Sequence, residues 1–412
     1  MQGEETGTGR QRNAAGARAG RYVQQPSGYK AFIPAPLPPD PPVAMNAEMT
    51  RLLSDADRAL GQLDGATTVL PNPDLFVAMY VRHEAVLSYQ IEGTRSTLGD
   101  VLEFEAGEGP RVVQRVKDVE EGVNYVKAMN HGLRRLEKLP LSLRLIREIH
   151  EKLLTGVRGG QRDPGNFRRT QNWLGPAGCG LADATFVPPP PQGMGELLRN
   201  LEDFFQDREL LPVLIQCGLA HAQFETIHPF LDGNGRVGRL LVTLLLCERQ
   251  ALRRPLLYLS HYLRAHRAQY YDRLDAIRSD GDWEGWLKFF LRGVYEVSLM
   301  ATDTARSILN MREEHRQKLA HNANGTRLLD RLFERPMVTV RMAQDYLGCA
   351  YGTANTLIRG LERMGLLEEI SGQQRNRRYR YKPYLALFER QALEVARADE
   401  DAETPTTGSK DH

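Results

Sequence analysis

The sequence predicts a mainly α-helical protein with a small β-hairpin and a C-terminal winged helix-turn-helix domain. Three observations lead there. From residue 44 to about 300, apolar residues recur at steps of three and four. A Gly- and Pro-rich stretch, residues 166 to 191, interrupts that pattern with short apolar pieces. From residue 325 the chain reads as helix, turn, helix, strand and a basic strand.

In chain order, residues 1 to 28 are Gly, Ala, Arg and Gln with almost no large apolar side chains, and are expected to be disordered. "YKAFIPAPLPPDPPV", residues 29 to 43, has prolines that fix an extended, polyproline-like backbone. Its Tyr29, Phe32, Ile33 and Leu37 favour an arm strapped onto a domain over a mere spacer. "AMNAEMTRLLSDADRALGQL" places Met49, Leu52, Leu53, Ala56, Leu60 and Leu63 on one helical face. "LFVAMYVRHEAVLSYQIEGT" and "LSLRLIREIHEKLLTG" repeat the pattern, the latter with Leu143, Leu145, Ile146, Ile149, Leu153 and Leu154. "NFRRTQNWLGPAGCGLADATFVPPPP" is the irregular surface hairpin, with apolar pieces at Trp173–Leu174 and Phe186–Val187. A linking helix over 301–324 ends at "NANGT". The winged helix-turn-helix occupies 325–392, with its turn near Gly348 and the basic wing "QQRNRRYRYKP". Residues 393–412 form an acidic, solvated tail.

Bulk composition limits the function classes. At 41% hydrophobic the chain can bury a core. Lys plus Arg total 54 against 52 Asp plus Glu, so any nucleic-acid surface must be local. Cys179, Cys217, Cys247 and Cys349 lie far apart, which suits neither a disulfide framework nor a zinc site and fits a reducing compartment. There is no signal-like N-terminus and no apolar run of about 18 residues. The expectation is a cytoplasmic protein that does not enter a membrane.

The most informative stretch is "TIHPFLDGNGRVGRLL", residues 226 to 241. Gly233, Gly235 and Gly238 have the G-x-G-x-x-G spacing of a dinucleotide-binding turn. Such a turn must follow a buried strand. Here Val213, Leu214, Cys217, Ala220, Phe224 and Ile227 recur at helical spacing, which excludes it. The neighbouring residues suggest phosphate chemistry instead. Pro229 ends the helix before His228. Gly233 and Gly235 permit an anion-binding nest at the N-terminus of the next helix. Arg236 and Arg239, one turn apart, can fork onto phosphate oxygens. Asp232 is a hard oxygen ligand suited to Mg²⁺. His228 has the ordinary pKa of a general base near neutrality.

A second motif precedes it. In "SYQIEGT", residues 88 to 94, Ser88 and Glu92 stand four apart on one helical face, with Gly93 at a natural helix end. A Glu at a helix C-terminus is electrostatically misplaced and needs a partner.

His228, Phe230, Asp232, Gly233, Asn234, Gly235, Arg236 and Arg239 fill every defined position of H-x-F-x-[D/E]-G-N-G-R-x-x-R, so the chain resembles the Fic family. "FIPAPLPP", "NFRRTQNWLG…FVPPPP", "LYLSHYL" and "QYYDRL" extend the resemblance over roughly residues 28 to 300. The fold it implies is a Fic helical core over 109–300 with a β-hairpin flap, preceded by an arm and inhibitory helices over 29–108.

The activity it implies is transfer of AMP from ATP, with Mg²⁺, to a Ser, Thr or Tyr hydroxyl of a protein, the chain itself included. His228 would be the base and Asp232 the metal ligand. Gly233, Asn234 and Gly235 would cradle the α and β phosphates, with Val237 and Gly238 beside them. Arg236 and Arg239 would take the β and γ groups, and Phe230 would be a core anchor. Thr185, Phe186 and Val187 would form the flap edge that aligns a target strand, and Tyr270 or Tyr271 would flank the adenine. Ser88, Glu92 and Gly93 match the family's inhibitory motif, with Tyr89 where a small residue is usual. By resemblance Glu92 pairs with Arg239 and displaces the γ-phosphate.

The motif also fits a Fic enzyme with another nucleotide donor. A different reading is a DNA-binding regulator that uses the site as a sensor. It would present Tyr351, Thr353, Asn355 and Arg359 on its second helix and Arg375, Arg377, Arg378, Arg380 and Lys382 on the wing. A homodimer is compatible with the sequence but not required by it.

Overall fold

The computed structural model describes residues 18–68, 73–94, 96–105, 113–157, 159–176 and 178–390. The expected disorder of residues 1–17 and the acidic tail at 393–412 lie outside them. Strand β1 (Gly20–Gln24) pairs antiparallel with β2 (Lys30–Pro34), with Tyr22 opposite Phe32. Residues 18–28, expected to lack order, thus belong to a hairpin. Their few apolar groups acquire a partner surface only in the folded molecule. The Tyr22 ring meets the buried Phe32 edge-on at 5.1 Å, and Ala19 is buried beside it. The proline-rich arm continues across the surface as expected. Phe32 and Leu37 are buried, and Leu37 exchanges two backbone hydrogen bonds with the Asn200 side chain, at 2.8 and 2.9 Å.

The helices follow the apolar periodicity. They are α1 (Ala47–Thr68), α2 (Pro73–Ile91), α3 (Leu98–Glu105), α4 (Val113–Leu136) and α5 (Leu143–Leu154). Then come α6 (Pro191–Gln206), α7 (Val213–Ile227), α8 (Asn234–Glu248), α9 (Ser260–Ala265), α10 (Arg267–Asp280) and α11 (Trp283–Lys318). Ser142 caps α5, whose apolar residues from Leu145 to Leu154 are buried.

The centre is α7, buried at every position from Leu214 to Ile227, as a helix enclosed on all sides must be. α8 packs beside it, and α2, α4 and α5 close round the pair. Gly218 lets α11 approach, because a Cβ there would stand 2.7 Å from a Leu287 methyl, and its carbonyl accepts the Trp286 indole N–H at 2.8 Å. Residues 166–191 form a looser turn than a hairpin: their only strand-like pairing among the described residues is a single bridge between Leu174 and Phe186.

The boundary expected at residue 300 is not a break, since α11 runs unbroken through it to Lys318. Its apolar face continues past Ala301 to Ile308, which keeps it helical. Beyond it lie α12 (Ala323–Glu334), capped by Asn322, then β3 (Met337–Thr339), α13 (Val340–Leu347), α14 (Tyr351–Arg363), β4 (Leu367–Glu369) and β5 (Arg378–Tyr381). Gly348 makes the turn between α13 and α14 at φ 64°. The strands form one antiparallel sheet in the order β3-β5-β4. This is the helix, turn, helix, strand, strand order read from the sequence. Residues 382–390 are helical and return to the core, where Phe388 packs edge-on against Tyr80 of α2 at 5.7 Å and against His83 at 5.6 Å. Among the described residues no helix is long and apolar enough to cross a membrane.

Candidate active site

The site is the turn between α7 and α8. The helix stops at His228, which takes a left-handed conformation, φ 49° and ψ 59°. Phe230 then enters the core and stacks on the His150 ring at 3.7 Å. Asn234 closes the turn: its side chain accepts from the Phe230 N–H and donates to the Phe230 carbonyl, both at 2.8 Å. The expected phosphate cradle is therefore narrower than the sequence suggests, because the Asn234 amide holds the loop.

Gly233, at φ 78°, is the left-handed residue that opens α8. The first ladder bond runs from Val237 N to Gly233 O, so the N–H groups of 234–236 precede the ladder, where an anion is favoured. Val237 itself is core. Gly238 faces α7, where a Cβ would stand 2.3 Å from Glu225 Oε1. Neither presents a free group to a nucleotide.

His228 is half-buried, and its Nδ1 lies 3.3 Å from the Glu225 carbonyl. A carbonyl only accepts, so Nδ1 carries the proton and Nε2 keeps its lone pair. Burial, abetted by the charges of Arg168 and Arg278, depresses the imidazole to about 4. The ring is therefore neutral at physiological pH, further below neutrality than the sequence alone implies.

Asp232 Oδ1 accepts from Arg236 Nη2 and from the Gly233 N–H, both at 2.7 Å. Its Oδ2 faces Gly159, where a Cβ would stand 2.6 Å away. This glycine leaves side-chain-free space beside a hard oxygen. Among the described residues no three His, Cys, Asp or Glu side chains gather to make a dedicated metal cage. Mg²⁺ does not require one, since it commonly takes one carboxylate together with substrate phosphates.

The segment with Ser88 and Glu92 is seated in the site. Glu92 Oε1 accepts from Arg239 Nη2 at 2.9 Å, and Oε2 lies 3.1 Å from Arg236 Nε. The expected pairing with Arg239 alone is thus half of the contact. Ser88 completes the grip on Arg239, its Oγ accepting from Nε and its carbonyl from Nη2, both at 2.8 Å. Burial would raise the Glu92 carboxyl, but the Arg236 and Arg239 charges overcome it and hold it below its ordinary value. Gly93, at φ 92°, ends the helix behind it. Gly235 is helical, and its lack of a side chain serves this contact: a Cβ would stand 2.8 Å from Glu92 Oε1. Tyr89 fills the place of a small residue by lying flat under Arg236, its ring centre 4.9 Å from the guanidinium carbon.

At the flap, Thr185 is exposed, while Phe186 and Val187 are buried. The Arg278 guanidinium covers the Phe186 ring at 3.9 Å. The Val187 carbonyl accepts from Phe32 N at 2.9 Å, so the N-terminal hairpin already occupies part of this edge. Tyr270 does not border open space. It is 1% exposed, and its hydroxyl donates to His221 Nε2 at 2.9 Å, because His221 Nδ1 is committed to the Gly238 carbonyl. Tyr271, at 40% exposure, is the ring of this pair that faces outward.

Sequence reasoning missed His150, Arg168 and Asn172, which hold the turn from outside the motif. His150 Nε2 donates to the Asp232 carbonyl at 3.0 Å, while Nδ1 accepts from Gly165 N at 2.9 Å. Burial depresses this ring to about 4. Its only sequence signal is a histidine on the apolar face of an amphipathic helix.

On the C-terminal unit Tyr351, Thr353 and Arg359 are exposed and Asn355 is half-buried. Arg380 is held by Glu368 and Glu389, Lys382 by Glu368, and Arg378 lies 3.5 Å from Glu103. Arg375 is exposed, and Arg377 Nε donates to the Gln373 carbonyl. Much of the basic wing is thus neutralised by carboxylates, which weakens it as a polyanion surface.

Residues 50–134 match the Fic/DOC family N-terminal domain and residues 140–246 match the Fic/DOC family. The first span contains Glu92 and the second His228. Over 183 residues the chain is 30% identical to a probable protein adenylyltransferase of Aquifex aeolicus, covering 43% of this chain and 51% of that one. Over 211 residues it is 31% identical to the protein adenylyltransferase Fic of Drosophila grimshawi, covering 49% and 39% respectively. The chain therefore spans about half, or less, of these curated relatives. A Fic family protein from Desulfovibrio desulfuricans G20 has a similar fold, with TM-score 0.53 and 19% identity over 83% of this chain and 98% of that one. Over residues 50–246 the chain therefore carries the Fic/DOC family's N-terminal domain followed by its Fic domain.

Proposed function

We propose that the chain is a protein adenylyltransferase kept silent by Glu92, using ATP and modifying hydroxyl side chains of proteins, itself included. The observation that carries this reading is the double grip of one carboxylate on Arg236 and Arg239, the two cations beside the helix start. The names of the curated relatives support the same class of reaction.

In this reaction a Ser, Thr or Tyr hydroxyl gives its proton to His228 Nε2 as its oxygen attacks the α-phosphorus of ATP. The bond from the α-phosphorus to the bridging oxygen breaks, and pyrophosphate leaves. His228 is suited to accept that proton because its tautomer leaves Nε2 unprotonated. The N–H groups at the start of α8 would face the phosphates, and Arg236 and Arg239 would take the charge that grows on the leaving group. Mg²⁺, if held by Asp232, would supply further charge neutralisation there. Arg236 must leave Glu92 before it can do this work, and so must Arg239. A side chain seated between Arg267 and the solvent, Tyr271, is the better placed of the tyrosine pair to flank the base.

The test is incubation with labelled ATP and Mg²⁺, followed by mass spectrometry of the automodified chain with Glu92 replaced by Gly. Added AMP supports the reading. Another increment would identify a different donor, and no increment on the chain or on extract proteins would overturn adenylyl transfer.

A further inference from the structure

Arg168 is a buried cation, 2% exposed, whose hydrogen bonds to described residues all go to backbone carbonyls. A buried charge ordinarily calls for an opposite one. Here Nε donates to His228 O at 2.9 Å, Nη2 to Pro189 O at 2.6 Å and to Ile227 O at 3.3 Å, and Nη1 to Thr170 O at 3.3 Å. Its own N–H donates to Pro229 O at 2.9 Å. The guanidinium thus joins the end of α7, His228 itself and the base of the flap, and the Arg168 backbone adds the residue after His228.

Asn172, from the same flap segment, adds a donor to His228 O at 3.2 Å and to Phe230 O at 2.8 Å. The His228 carbonyl therefore receives two side-chain donors, both from the flap segment. Among the described residues His228 is also one of the few non-glycines with positive φ, a conformation that persists only when its surroundings over-determine it.

We propose that Arg168 is a positioning residue for the transfer reaction. It fixes the left-handed turn from which the His228 imidazole projects, and it ties that turn to the flap that would receive the target. Asn172 is its auxiliary. The flap and the base are then one mechanical unit, so a target strand seated on the flap meets a base already in register. This rests on the proposed adenylyl transfer only for its kinetic readout.

The test compares Arg168→Lys, Arg168→Ala and Asn172→Ala, each combined with Glu92→Gly in the full chain. Loss of alignment without loss of nucleotide contacts should lower kcat by about 10²-fold and leave KM for ATP unchanged. Guanidinium ion should restore part of the rate to Arg168→Ala but not to Asn172→Ala. A structural readout is independent of activity: the ring ¹⁵N signals of His228, assigned by comparison with His228→Ala, should lose their single Nδ1–H tautomer in the Arg168 variants. Unchanged kcat with an unchanged His228 signature would overturn the proposal. So would a loss matched by a rise in KM and no guanidinium rescue. If Arg168→Ala does not fold, Arg168→Lys and Asn172→Ala carry the same comparison. If Glu92→Gly itself transfers no AMP, the reaction assignment is at fault, and the His228 signature still decides the role of Arg168.

Discussion

Replacing Glu92 with Gly is the perturbation whose size follows most directly from the geometry. The carboxylate holds Arg239 at 2.9 Å and Arg236 at 3.1 Å. A hydrogen bond to a charged group contributes about 1.5–3 kcal/mol. Each 1.4 kcal/mol is about tenfold in an equilibrium, so relief of one pair predicts roughly ten- to a hundredfold more competent enzyme. The second pair does not simply double that figure, because the two share one carboxylate and its burial already opposes ionisation. The upper end of the range is the expectation. The substitution also takes from the buried Arg239 the carboxylate that pairs with it and leaves the buried Arg236 with Asp232 and the more distant Glu121. The free variant should therefore be less stable than the wild type, and ATP should restore more stability to it than to the wild type. Autoadenylylation with labelled ATP measures the first effect and thermal unfolding with and without ATP the second. Adding Arg239→Ala to Glu92→Gly should abolish the gain, since the freed arginine is what the phosphates require. A Glu92→Gly protein no more active than wild type across a range of ATP concentrations would refute the reasoning.

The other expectations are these. His228→Ala in the Glu92→Gly background should cost about 10²–10⁴ in rate with ATP affinity nearly retained, so transfer within a few-fold would exclude His228 as the base. Asp232→Ala should raise the Mg²⁺ needed for half-maximal rate, and an unchanged titration would remove it as a ligand. Phe388→Ala should loosen the seat of α2 against the C-terminal helix, destabilise the fold by about 3–5 kcal/mol and raise basal labelling of the otherwise wild-type chain; labelling that stays at the wild-type level would uncouple that helix from Glu92. The protein should also be acid-sensitive. Burial depresses His83 to about 3 and His150 and His221 to about 4, so between the ordinary value of 6.5 and those values the unfolded chain binds more protons. Their stabilisation is complete above pH 6.5 and is lost as pH falls, at about 1.4 kcal/mol per pH unit per group. His228 and His261, also depressed to about 4, act in the same sense, and the buried carboxyls of Glu225, raised to about 7, and Glu84, also raised, oppose these imidazoles without outnumbering them. A melting temperature that does not fall between pH 6.5 and 5 would contradict this balance.

What could be read from the sequence divides along a physical line. Helical periodicity is a local property, and α1, α2, α5 and α7 stand where it puts them, because each buries a face that the residue pattern already defines. The placement of a short motif was equally legible: His228, Asp232, Arg236 and Arg239 are neighbours on one turn and its helix. Partnerships between distant segments were not. Residues 20–24 have too little apolar surface to fold alone, and they become a strand only because Phe32 and Val187 provide an edge for the hairpin.

The same cause explains the glycines. Sequence reasoning assigned Gly235 and Gly238 to phosphate, yet the space each vacates is taken by a carboxylate from elsewhere, Glu92 for one and Glu225 for the other. A glycine announces that something comes close without saying what. At Gly235 that ambiguity has a functional edge. Under the proposed mechanism, the cleft that would admit a phosphate is the cleft that holds Glu92, so a Cβ placed there would obstruct both. On that proposal Glu92 and the nucleotide would compete for a single opening in the first turn of α8, and the residue that opens it would serve both.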